Sequence, residues 1–131
     1  MTKEKIILVG YGWGSLGFIQ HIDTKQYDVM LFSKHDHFVY TPLLAQNVKH
    51  DRDLTIHVDQ LKQSLEFVHD KVDDVDFKKQ TVQDKKYDFL IFSHGAEVNT
   101  FNITGVQENT HYLKTLDDSN QIKSKLLELP K

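Results

Sequence analysis

No cysteine occurs among the 131 residues. That excludes disulfides, thiolate metal centres and thiol catalysis. No apolar run approaches the roughly 20 residues that a bilayer-spanning helix needs, so no membrane span is expected. Basic residues are not in excess: 16 Lys and Arg stand against 19 Asp and Glu, for a net charge of -3 with the histidines neutral. Without a basic cluster there is no electrostatic footprint for nucleic acid. An apolar strand pattern begins within a few residues of Met1, which leaves no room for a signal or transit peptide and makes a cytoplasmic compartment the default expectation. The length suits one domain with a real core, so residues 1–131 are read as a single unit of folding.

Glycine is also scarce, six in all, yet Gly10, Gly12 and Gly14 fall within five positions of one another. They follow Ile6-Ile7-Leu8-Val9, a short β-branched apolar run that reads as a buried parallel strand. Behind them Leu16, Ile19 and Ile22 recur at helical spacing, and Tyr27 to Phe32 is a second strand. This is a β-α-β unit, for which a right-handed crossover is the default. Further on, Leu54, Val58, Leu61 and Leu65 predict an amphipathic helix. Phe67 to Val72 predicts a strand, Val75–Phe77 with Thr81-Val82 a small hairpin, and Tyr87 to Ser93 another buried strand. Residues 116–129 predict a helix with Ile122, Leu126 and Leu129 on one face. The pattern as a whole is α/β: a Rossmann-like parallel sheet with helices on both faces and a small β-hairpin extension.

Gly10, Gly12 and Ser15 occupy the positions of a dinucleotide-binding fingerprint between strand and helix. Gly10 allows the tight turn, Gly12 lets the backbone approach a pyrophosphate, and the small Ser15 permits close helix–strand packing. The helix N-terminus beyond offers N–H groups and a positive dipole end to an anion. The acidic residue that usually meets a ribose at the end of the second strand is replaced by Ser33-Lys34, a hydroxyl and a cation suited to a phosphate.

Three blocks, Gly10 to Val29, His37 to Gln46 and Tyr87 to Lys114, resemble the N-terminal part of the type II (alternative) NADH:quinone oxidoreductases, especially the mitochondrial kind. The resemblance implies a flavoprotein in which Gly10, Gly12, Trp13, Gly14 and Ser15 lie along the FAD pyrophosphate. It places Thr41, Pro42 and Leu43 close to the isoalloxazine, backbone around Val72 near the adenine, and Gly95, Ala96 and Glu97 over the cofactor. Members of that family are much longer, with a second dinucleotide-binding domain for NADH, a quinone site and a peripheral membrane anchor. The 131 residues are therefore expected to form the first part of an FAD domain. By themselves they are not expected to be catalytic, and they hold FAD weakly unless a partner completes the site. Lys34-His35 stands where the family usually has Pro-Arg, and His94 where it has a small or apolar residue. Mitochondrial membrane-surface attachment is implied by the resemblance alone.

The competing function is a non-catalytic interaction or structural module with a vestigial nucleotide pocket. Loss of family covers would expose Trp13, Phe38, Tyr40, Leu43 and Leu44, so self-association or a protein partner is expected. Most of the eight histidines are expected to be solvated. "HDH" at 35–37, with Asp36 or Asp51, has no spacing that fixes a tetrahedral set, so no metal site is assigned. Ser15, Ser33 and Ser93 lack a nucleophile-elbow setting, and no catalytic residue is assigned.

Overall fold

The computed structural model describes residues 2–130. The chain forms two compact units, Met1–Phe38 with Ile56–Gly95, and Val39–Thr55 with Ala96–Lys131.

The first unit is built on four parallel strands. β1 (Glu4–Val9) leads through the glycine turn into α1 (Trp13–His21), and β2 (Tyr27–Ser33) returns beside β1. β3 (His37–Val39) and β4 (Thr55–His57) pair with each other as a two-stranded sheet. β5 (Glu66–His69) lies outside β2, and β9 (Phe89–Phe92) lies on the far side of β1. The order is thus β5-β2-β1-β9, with Ile6 opposite both Val29 and Phe89. Side chains alternate across a strand. Ile6 and Leu8 therefore face one side, where they pack with Leu16 and Ile19 of α1 and with Val29 and Leu31. Ile7, Val9 and Phe32 face the other, where Val82 and Tyr87 cover them. Leu8, Leu31 and Ile19 are fully buried, each such side chain contributing about 1.5–3 kcal/mol.

The cover on the second face is an antiparallel sheet of β6 (Val75–Asp76), β7 (Thr81–Val82) and β8 (Lys85–Lys86). The predicted hairpin thus gains a third strand. Gln83 and Asp84 join β7 to β8 with φ of 44° and 66°, the two left-handed positions of a tight hairpin turn.

The helix predicted from Leu54 to Leu65 does not form. The chain runs through β4 into a single 3-10 turn at Val58–Gln60. Local and distant hydrogen bonds draw it away from the helical path. The Asp53 carboxylate accepts both the Thr55 amide, at 3.0 Å, and the Thr55 hydroxyl, at 2.7 Å. The Val58 amide donates to the Asp36 carbonyl at 2.8 Å. Leu61 and Leu65 pack on the α1-side core from irregular chain.

In the second unit, α2 (Leu44–Asn47), α3 (Val106–Asn109) and α4 (Leu116–Glu128) are helical. The bond between α2 and α4 is polar. The buried Ser119 hydroxyl donates to the Leu44 carbonyl at 2.8 Å, and the Asn47 amide group donates to Ser119 Oγ at 3.1 Å and Asn120 Oδ1 at 3.2 Å. The apolar stripe predicted for this helix does not become a buried face, since Leu126 and Leu129 are 53% and 62% exposed.

Candidate functional site

Ligands in open parallel sheets gather beyond the carboxyl ends of the strands, where the strand order reverses. Here that point lies between β1 and β9, and the glycine turn occupies it. Gly10 has φ +93°, and its amide donates to the Phe32 carbonyl at 2.8 Å. A Cβ at Gly10 would stand 2.5 Å from the His94 Cα, and one at Gly12 would stand 2.9 Å from the Ser93 carbonyl oxygen. The close approach these glycines permit is therefore first an approach of the chain to itself, with the end of β9 packed onto the turn.

Ser15 is more than a small residue. It is fully buried, its hydroxyl donates to the Gly10 carbonyl at 2.6 Å, and its amide donates to Ser93 Oγ at 2.9 Å. The Ser93 amide in turn donates to the Val9 carbonyl at 2.8 Å. Ser93 thus stitches the two strand ends and caps the third residue of α1. Sequence reasoning missed it, weighing the serine only as a nucleophile. The signal was a small hydroxyl residue directly after the later apolar strand and before Gly95.

Gly12 is the N-cap of α1 and has no side chain to cap it. The positive end of the helix dipole lies at the switch point. Trp13 is half exposed and stands edge-on to Phe38, ring centroids 4.9 Å apart. Phe38 was expected to be exposed but is 2% exposed, closed over by Trp13 and Tyr11; Leu44 is likewise buried. Trp13 is therefore a half-exposed cover on an aromatic cluster. Burial raises the Tyr11 phenol above its ordinary pKa. Its hydroxyl is buried without a hydrogen-bond partner among the described residues.

Ser33 ends β2 next to the turn. It is buried, and its Oγ accepts the His35 amide at 3.2 Å, which leaves its O–H to donate. Lys34 is exposed, and its carbonyl faces His69 Nε2 at 2.8 Å. Val72 packs on the second face of the sheet beside Phe32 and Val82. Gly95 is exposed with φ +76°. Thr41, Pro42 and Leu43 form a 3-10 turn in the second unit, to which the exposed Ala96 and Glu97 also belong. The structure thus gathers Gly10, Gly12, Gly14, Ser15 and Ser33 at adjoining strand ends. A cleft of about 430 Å³ beside Lys3, Lys5, Asp28 and Glu66 opens at the opposite, amino ends of the strands and shares no residue with this turn.

Residues 4–130 match the family described as pyridine nucleotide-disulphide oxidoreductase. A probable NADH dehydrogenase of Dictyostelium discoideum is 32% identical over 98% of this chain and 32% of its own length. An external alternative NADH-ubiquinone oxidoreductase, mitochondrial, of Yarrowia lipolytica is 30% identical over 97% of this chain and 26% of its own. The solved structure of NDH2 from Plasmodium falciparum in complex with NADH superposes with a TM-score of 0.88 at 31% identity, over 97% of this chain and 29% of that one. The chain thus spans between a quarter and a third of the length of these proteins. A sulfide:quinone oxidoreductase from Aquifex aeolicus, at 19% identity and a TM-score of 0.79, shares the fold. Among the described residues no helix is long and apolar enough to cross a membrane.

Proposed function

Since the chain belongs to the pyridine nucleotide-disulphide oxidoreductase family, we propose that its first unit holds FAD by the adenosine diphosphate portion, as the flavin-binding region of an NADH:quinone oxidoreductase-like protein. The observation that carries this reading is the N-terminus of α1, begun by a glycine with no side chain, at the switch point between β1 and β9. The pyrophosphate lies against that first turn, where the helix dipole and backbone amides favour an anion. The Ser33 hydroxyl donates to a ribose oxygen from the adjoining strand end. FAD supplies a two-electron acceptor when bound. The chain's own part is to bind and orient it, and the 131 residues alone are not the catalyst. A mitochondrial compartment is the one that the relatives' names support.

Trp13 is the sole tryptophan and stands at the proposed pyrophosphate site, so its emission reports binding. Saturable quenching by FAD, competed by ADP, is the expected result. Gly14→Asp is the matched variant. A Cβ there meets only the Ser93 side chain, at 3.1 and 3.4 Å, and an acidic residue in the first turn suits the helix. It sets a negative charge where the anion sits, so affinity falls at least tenfold, about 1.4 kcal/mol, with circular dichroism unchanged. A folded parent chain that neither quenches nor gains thermal stability with FAD or ADP overturns the reading. It would leave the interaction module, which the exposed Phe77, Phe89 and Phe92 favour.

A further inference from the structure

Beyond Ser33-Lys34 the chain passes through Asp36 and His37 into β3, and His57 comes alongside at the end of β4. Asp36 Oδ1 is 2.8 Å from His37 Nδ1, and Asp36 Oδ2 is 3.6 Å from His57 Nδ1. One donor atom from each of the three side chains lies within 4.8 Å of the others. The His37 and His57 rings stand with centroids 5.3 Å apart, and the His35 ring is 5.7 Å from that of His37. We propose that Asp36, His37 and His57 form a binding site for a divalent transition-metal ion, with zinc the best match.

Two imidazoles and one carboxylate are ligands that zinc takes readily, with a water completing four. Ligand atoms around a tetrahedral zinc stand about 3.3–3.5 Å apart. Rotation of three partly exposed side chains closes the remaining gap. The backbone beneath them is already fixed. The Val58 amide donates to the Asp36 carbonyl at 2.8 Å, and the His57 amide donates to Gln60 Oε1 at 2.7 Å; the His57 side chain in return accepts the Gln60 amide, a bond it would exchange for the ion. The ion would tie the loop after β2 to the end of β4, two segments twenty residues apart in sequence. That loop leaves directly from Ser33. The site does not depend on whether FAD binds.

The test uses the full chain without a polyhistidine tag, stripped of metal, and competes it for zinc against a chromophoric chelator. One zinc per chain and a raised melting temperature are expected. Cobalt(II) should give the visible bands of a nitrogen- and oxygen-ligated ion. His37→Ala and His57→Ala each weaken zinc binding at least tenfold and remove the cobalt bands. His50→Ala and His111→Ala, outside the cluster, leave both unchanged. Magnesium, which prefers oxygen ligands, does not compete. Zinc affinity that survives in the double variant His37→Ala/His57→Ala, equal competition by magnesium, or no uptake by the folded parent chain overturns the proposal. Circular dichroism of each variant separates loss of ligands from loss of fold.

Discussion

A methyl group at Gly10 would meet the His94 backbone at 2.5 Å, on a residue already at φ +93°. Clash and left-handed strain act together there. Gly10→Ala is expected to lower unfolding stability by about 2–4 kcal/mol, read from urea denaturation. Gly17 makes the opposite case. It lies in the exposed middle of α1 with nothing within 4 Å of an added Cβ. Gly17→Ala should raise stability by about 0.8–1 kcal/mol in the same assay, and leave FAD binding as it was. The fingerprint positions were legible in the sequence because turn chemistry is local. What Gly12 contacts was not: the sequence argument aimed it at a pyrophosphate, whereas its added Cβ runs into Ser93, some eighty residues on. A bulky residue at Gly12 therefore disturbs the sheet as well as any ligand, which makes Gly14→Asp the cleaner probe.

The termini of α4 and the fate of β4 show what decides an element. Thr115 caps α4 with its hydroxyl accepting the Asp118 amide at 3.1 Å, while the Asp118 carboxylate accepts the Thr115 and Lys114 amides at 2.7 and 2.9 Å. Burial pushes the Asp118 pKa up, but these hydrogen bonds outweigh it and hold the carboxyl below its ordinary value. A folded-state pKa below the unfolded one adds stability that is present above the unfolded value, about 3.9, and is lost as pH falls through the folded value. The contribution is about 0.5–1 kcal/mol, at the low end because solvent screens it. Helicity of α4, followed by circular dichroism from pH 6 to pH 2, should drop in the acid range by less in Asp118→Asn than in the parent. This helix was legible because its caps are local. The segment from 54 to 65 was not. Its leucine spacing imitates a helix, while the bond that settles it, from Val58 to Asp36, joins residues far apart in sequence. For the same reason the spacing of the histidines gave no hint that His57 would reach Asp36 and His37.

At the scale of the whole molecule, the parallel sheet ends at β9 among the described residues, with Phe89 and Phe92 half exposed and Phe77, 68% exposed, 6.4 Å from Phe92. Clustered exposed aromatics mark interaction surfaces. Light scattering of the 131-residue chain should show concentration-dependent self-association, and Phe77→Ser with Phe92→Ser should move it toward monomer. A clean monomer at high concentration speaks against this. The sheet and its first β-α-β unit were legible from short apolar runs. The order of its outer strands rests on long-range pairing, which periodicity does not reveal. That order also sets a sequence of events. Ser93, which closes the glycine turn, arrives with β9, and pairing of β9 with β1 closes a loop of some eighty residues. Such distant pairings form late because the chain entropy must be surrendered first. During synthesis the residues of the turn emerge some eighty residues ahead of Ser93, so the turn takes its final shape only after β9 has followed. The nascent protein thus has a period in which the glycine turn is written but not yet closed by Ser93.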